Sequence, residues 1–167
     1  GKPAAEQSKR VSATVRTMIS RGVPKTDIMD MVNTALYNGK EDSVLSFDMS
    51  IVDLDSAQCE MLKADASPTF ICRGGNVYCV GRRSLPLGAD ETPDSFSSTC
   101  TLFDGDILVM VSDGFFGDSE DFCMNILRKC VAEKNDPLGF AAALIDTAVN
   151  SGLADGDDLT VIVARVN

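Results

Sequence analysis

The run Ile107-Leu108-Val109-Met110-Val111 carries no polar residue and is bracketed by Asp104-Gly105 on one side and Ser112-Asp113-Gly114 on the other. Asp-Gly is a turn signal, and an unbroken apolar run of this length reads as a strand buried on both faces. Such a strand delivers the next carboxylate, Asp113, to a sheet edge. Gly114 lets the backbone turn sharply there, so Asp113 is expected to point into a cleft and not into the core. A second stretch has the reverse order: Asp155-Gly156-Asp157-Asp158-Leu159-Thr160 comes just before the apolar run Val161 to Val166. Two strand ends thereby present carboxylates.

The rest of the chain must supply a core for those strands. With 167 residues, 44% of them hydrophobic, it is long enough for one globular domain that buries roughly two thirds of its unfolded surface. A formal net charge of -10 argues against nucleic acid and anionic membrane as partners. The six cysteines, Cys59, Cys72, Cys79, Cys100, Cys123 and Cys130, include no Cys-x-x-Cys pair, and histidine is absent, which disfavours zinc. They occupy apolar strand and helix positions, so reduced thiols in a cytoplasmic setting are expected. No signal peptide or apolar run of membrane-spanning length is present. The chain opens at Gly1, directly in helical sequence, and is read as a fragment.

Taken in order, Ala4, Ser8, Val11, Val15, Met18 and Ile19 share one side of a first helix, which Gly22-Val23-Pro24 ends. Thr26 is the expected N-cap of a second helix with the stripe Ile28, Met31, Val32, Ala35 and Leu36. From Val44 to Leu54, Leu45, Phe47, Met49 and Ile51 alternate with polar residues as in a half-buried strand, with a bulge expected near Val52 and Leu54. Strands follow around Cys59 to Ala64, Thr69 to Arg73 and Val77 to Val80, the last two joined by a Gly74-Gly75-Asn76 turn. They are expected to form one antiparallel meander. A polar loop then runs to Ser98, with one more short strand from Thr99 to Phe103. Two helices follow Gly114. Cys123, Ile126, Leu127, Cys130 and Val131 form one stripe. Leu138, Ala141, Ile145 and Ala148 form the other, opened by Asp136 as N-cap and Pro137. Helices, strands, helices and a last strand make an α+β fold.

Oxygen-only ligand sets suit hard divalent cations, Mg²⁺ or Mn²⁺. Carboxylates from two strand ends can build such a site, with Asp113 and Asp157 as ligands and Asp158 orienting or capping. The alternative for each motif taken singly is a solvated turn.

Ser112-Asp113-Gly114 after an apolar strand, with Asp157-Asp158-Leu159-Thr160-Val161 entering the last one, resembles the last two motifs of the metal-dependent protein phosphatases of type 2C. More narrowly, the chain resembles the SpoIIE branch. The stretches Ser46 to Leu54, Ser67 to Gly74 and Leu85 to Gly88 are similar to that branch as well, and Gly1 to Ser8 resembles the segment just after the family's first Asp-Gly. The resemblance implies an antiparallel β-sandwich flanked by helices, N-terminally truncated. It also implies hydrolysis of phosphoserine or phosphothreonine on a protein with two Mn²⁺ or Mg²⁺ ions. Asp113 and Asp157 take the metal-ligand and catalytic role, while Gly114, Asp158 and Thr160 complete the motifs. The implied substrate is a phosphorylated anti-anti-sigma factor. A regulatory partner or upstream domain acts on the helices at 4–38, and the chain belongs to the cytoplasmic part of a larger, membrane-anchored protein. The expected organisation is one domain: a regulatory helical hairpin at 1–38, a meander and core strand at 44–112, and metal-site loops, helices and last strand at 113–167.

The sequence departs from that family in two places. The first Asp-Gly, whose carboxylate bridges both ions, would lie before Gly1, and Gly117 stands where some relatives carry an acid near an accessory metal, with Asp118 beside it. Absent strands would leave sheet edges open to pairing, hence a dimer. A catalytically incomplete, partner-binding module is the alternative function. Haloacid-dehalogenase chemistry would need an aspartate two residues before Asp113, where Val111 stands. The cysteines could also be read as redox sensors, but little basic charge flanks them.

Overall fold

The structure is a computed structural model that describes residues 2–39, 44–115, 120–133, 136–152 and 158–167. In chain order its elements are α1 (Lys2–Ser20), α2 (Lys25–Tyr37), β1 (Phe47–Val52), β2 (Gln58–Ala64), β3 (Thr69–Arg73), β4 (Asn76–Val80), β5 (Phe96–Thr101) and β6 (Ile107–Val111). A 3-10 turn (Asp113–Phe115), α3 (Glu120–Glu133), α4 (Pro137–Asn150) and β7 (Val161–Arg165) complete it. The fold is α+β, with one sheet ordered β1-β2-β5 and a second ordered β4-β3-β6-β7. The four early strands therefore do not make one meander. The chain switches sheets between β2 and β3, where Asp65 takes a positive φ of 48° and Pro68 follows.

The chain divides into two compact units that interleave in sequence. The larger comprises 50–61, 66–82 and 98–167. There β3 and β6 pair antiparallel, with Phe70 opposite Val109, and alternate residues face two cores. Phe70, Cys72, Ile107, Val109 and Val111 meet Cys123, Ile126, Leu127, Cys130, Phe140, Leu144 and Ala148 of α3 and α4. Ile71 and Leu108 turn the other way, to Cys59, Met61 and Leu102 of the other sheet's side. This is a sandwich with helices on one outer face, and β6 is buried on both of its own faces. Gly74 and Gly75, at φ 55° and 80°, close the two-residue turn between Arg73 and Asn76, a conformation that costs glycine nothing. The α3 stripe falls where periodicity places it. On α4 the buried face is instead Phe140, Leu144 and Ala148, with Leu138 82% exposed.

The other unit comprises 1–49, 62–65 and 83–97. α1 packs along α2, and Val15 of α1 is buried. The stripe of α2 is rotated from the expected one: Ile28, Met29, Val32, Asn33 and Leu36 are buried, while Met31 is half exposed and Ala35 is exposed. Pro24, not Thr26, is the N-cap, with a φ of -55°, so the helix starts two residues earlier; Thr26 Oγ1 bonds Asp27 Oδ1 at 3.3 Å. The strand at 44–54 also ends sooner than expected. No bulge forms. Asp53 Oδ1 accepts the N–H groups of Asp55 and Ser56, both at 2.9 Å, and turns the chain, leaving Leu54 92% exposed.

Candidate active site

The strand β6 is fixed at both ends. Just before it, Asp106 is buried, and its Oδ2 accepts Arg73 Nη2–H at 2.6 Å and the Phe103 N–H at 2.8 Å. Arg73 Nε bonds the same carboxylate at 2.9 Å to Oδ1, and the guanidinium lies 4.3 Å from the Phe103 ring centroid. Burial pushes the Asp106 carboxyl up, but the bonds from Arg73 and the Phe103 N–H outweigh it and hold the group below the ordinary carboxylate range.

At the far end, β6 pairs with β7 from Ile107 opposite Arg165 to Val111 opposite Val161. Ser112 N–H continues the ladder to the Thr160 carbonyl at 2.9 Å. Ser112 Oγ donates to the Asp158 carbonyl at 3.1 Å and accepts the Thr160 N–H at 2.9 Å. The chain then enters the 3-10 turn that carries Asp113 and Gly114. Asp113 is exposed, with its Oδ1 accepting the Gly114 N–H at 3.1 Å.

Of the residues expected from the sequence, Asp113, Gly114, Asp158 and Thr160 are thus brought to neighbouring strand ends. Asp158 and Thr160 are exposed as well. Asp155 and Asp157 lie outside the described residues, as do Gly117 and Asp118. Among the described residues no group of three or more potential ligands gathers around one point. The exposed carboxylate of Asp113 is an oxygen donor of the hard type that Mg²⁺ and Mn²⁺ select. None of the six cysteines is in a disulfide, and burial raises the thiols of Cys59, Cys72 and Cys123 to about 11, about 12 and about 12. Such thiols stay protonated and are poor nucleophiles.

Two polar features of the smaller unit were not anticipated. Lys63 is fully buried and its Nζ lies 2.6 Å from Asp48 Oδ2. Burial is the larger influence on Asp48 and raises its carboxyl, against the hydrogen bond and charge of Lys63. Asn33 is also buried; its Oδ1 accepts the Gly88 N–H at 2.8 Å, and its Nδ2 donates to the carbonyls of Asp90 at 3.0 Å and Glu91 at 3.1 Å. It therefore pins the Leu85-Pro86-Leu87-Gly88 stretch. The signal available in the sequence was weak: a lysine among apolar strand residues and an asparagine within a helix stripe.

Compared with known proteins, residues 1–167 match the model of the family Stage II sporulation protein E (SpoIIE). The chain is 30% identical over 169 residues to the stage II sporulation protein E of Bacillus subtilis (strain 168), covering 96% of this chain and 20% of that protein. It therefore spans about a fifth of that curated relative. The phosphatase domain of the cell fate determinant SpoIIE from Bacillus subtilis, presoaked with Mn, superposes with a TM-score of 0.68 at 27% identity, over 94% of this chain and 73% of that one. The PP2C phosphatase domain with a fragment of the regulatory domain of the same determinant gives a TM-score of 0.80 at 28% identity, over 95% and 49% of the two chains.

Proposed function

Because the chain belongs to the SpoIIE family, we propose that it is the phosphatase part of a larger protein and hydrolyses phosphoserine or phosphothreonine on a regulatory protein. The observation that carries this reading is the family match along the whole chain, together with the placement of Asp113. That residue comes at the end of a strand buried on both faces, directly after Ser112, whose hydroxyl bonds Asp158 and Thr160. The substrate class proposed is a phosphorylated anti-anti-sigma-like protein. The setting is cytoplasmic, as part of a membrane-anchored protein; among the described residues no helix is long and apolar enough to cross a membrane.

Asp113 and Asp157 would hold a divalent ion, Mn²⁺ or Mg²⁺, and a carboxylate outside this sequence would complete a two-ion site. When bound, such ions acidify water and neutralise the oxygens of a phosphoryl group. The protein's own contribution is to keep the Asp113 carboxylate at the surface and correctly aimed. The Gly114 N–H holds one of its oxygens, and β6, clamped at Asp106 and Ser112, leaves the turn little freedom.

Helices α1 and α2 are the proposed site of regulation, by a partner or an upstream domain. A groove of about 410 Å³ between them, lined by Val11, Met18, Met31, Val32 and Leu36, supports that reading.

The test is phosphate release from a phosphoserine protein by the full-length protein in Mn²⁺. Asp113→Asn is expected to lower turnover by at least about 100-fold with the melting temperature nearly unchanged, because the lost charge stands at an exposed position. Retained turnover in that variant overturns the assignment. A wild-type protein that releases no phosphate but still binds a regulator would be the partner-binding module.

A further inference from the structure

Ser112 stands one residue before the proposed ligand Asp113, and its hydrogen bonds show a substitution in the ladder. In an antiparallel sheet a hydrogen-bonded pair of opposed residues exchanges N–H···O=C bonds in both directions. The register that ends with Val111 opposite Val161 places Ser112 opposite Thr160. The first of the two bonds is ordinary, from Ser112 N–H to the Thr160 carbonyl at 2.9 Å. The return bond is not: the Thr160 N–H goes to Ser112 Oγ at 2.9 Å. The Ser112 carbonyl is engaged elsewhere, accepting the Phe115 N–H at 3.2 Å and so closing the turn that contains Asp113.

The side chain thus takes over the ladder duty of its own main-chain carbonyl, and the carbonyl is released to form the turn. The hydroxyl hydrogen is used too, on the Asp158 carbonyl at 3.1 Å. One hydroxyl therefore ties the turn of Asp113 to the residue that directly follows Asp157 in the chain.

We infer that Ser112 is a positioning residue of the phosphatase site: its hydroxyl sets the Asp113 turn against the Asp158–Thr160 segment, and so fixes the affinity for the divalent ion. This rests on the metal-ligand reading of Asp113 and Asp157. With alanine at position 112 the Thr160 N–H must either lose its partner or recover the main-chain carbonyl, and the second choice unwinds the turn beneath Asp113. Residues that orient metal ligands typically cost 10- to 100-fold in affinity or activity when removed.

The experiment uses the full-length protein and two readouts. Mn²⁺ binding is measured by calorimetry, and backbone exchange over residues 158–161 is followed without metal by hydrogen-exchange mass spectrometry. Ser112→Ala is expected to weaken Mn²⁺ binding about tenfold and to speed that exchange roughly tenfold. Ser112→Cys, which keeps the size but bonds weakly, should behave like the alanine variant. Ser112→Thr, which keeps the hydroxyl, should lie within about threefold of wild type. Unchanged binding and exchange in the alanine and cysteine variants overturn the proposal. So does an equal loss in the threonine variant, which would make shape at position 112 decisive and not its hydroxyl; if alanine fails to fold, cysteine against threonine decides. Asp113→Asn is run alongside. If it binds Mn²⁺ as tightly as wild type, the metal-ligand reading has failed; if it loses binding while Ser112→Ala does not, only the positioning role has.

Discussion

The core that β3 and β6 share with α3 and α4 is lined by apolar residues, among them Phe70, Cys72, Val109 and Cys123, although that unit also buries Thr69 and Asp106, whereas the other unit buries Asn33 on α2 and Lys63 on β2 within its helix and strand faces. Apolar burial has no direction: a core of the right volume and pattern folds, and close packing adds the last increments. A buried amide or ammonium is different, since it is tolerated only where its partners stand. Asn33 needs the backbone of Gly88, Asp90 and Glu91, and Lys63 needs Asp48. One unit is thus expected to tolerate conservative repacking. The other should accept few arrangements of α2, β2 and the 85–91 segment.

The largest test of that contrast is Lys63→Ala. It strands the Asp48 carboxylate, already without a partner on its buried Oδ1, and should cost about 3–5 kcal/mol in urea unfolding. Replacing both partners, Lys63→Met with Asp48→Leu, should recover most of that loss, because an apolar pair of similar volume owes nothing to desolvation. A single-mutant cost below about 1 kcal/mol would show that the pair is no constraint on the unit.

Asn33→Ala comes next. It leaves the Gly88 N–H and the Asp90 and Glu91 carbonyls to find other partners, at an expected cost of about 2–3 kcal/mol. The Gly88 amide should also exchange faster than its neighbours if Asn33 pins that segment. Uniform exchange along 85–91 would remove Asn33 from that role.

The same contrast explains what the sequence made legible. β3, the Gly74-Gly75 turn, β6 and the α3 stripe were readable because each rests on local pattern: an apolar run, a glycine pair, a 3.6-residue period. The α2 stripe is rotated from the expected one because apolar periodicity does not select for the buried face a polar residue such as Asn33. Its partners lie 55 to 58 residues along the chain, beyond any window of periodicity. On α4, apolar residues occur almost all round from Leu138 to Val149, so the pattern did not single out Phe140 and Leu144. Asp113 and Asp158 were found as motif residues. The exchange of duties at Ser112 was not, since nothing in Ser-Asp-Gly says which oxygen completes the ladder.

Two carboxylates give the contrast a pH signature of opposite sign. Asp106 is held below its ordinary value of 3.8, so its contribution is complete above that pH and is lost as pH falls through the folded value. Asp48 is held above 3.8 in the folded protein, so its contribution is complete below that pH and is lost as pH rises through the folded value. Unfolding followed across pH 3 to 6 should therefore show Asp106→Asn flattening the acid limb and Asp48→Asn lowering the loss on the rising side. At neutral pH, Asp106→Asn should cost about 1–2 kcal/mol, a figure discounted because the Arg73 side chain is 36% exposed. Equal slopes in both variants would erase the distinction.

The smallest effect belongs to polar groups at an exposed helix end, where water competes. Asp136 caps α4 by accepting the Gly139 N–H at 2.7 Å, and Asp136→Ala should cost about 1 kcal/mol. Gly139 sharpens the point. A Cβ there would fall 2.5 Å from Asp136 Oδ2, so Gly139→Ala must push the cap aside and forfeit most of the roughly 1 kcal/mol that alanine gains over glycine inside a helix. Once Asp136 is alanine that obstacle is gone. The double variant should then be about 1 kcal/mol more stable than Asp136→Ala alone, while Gly139→Ala by itself stays near zero. Additive single effects in urea unfolding would mean that the two side chains do not compete for that space, and that the cap geometry differs from the one described.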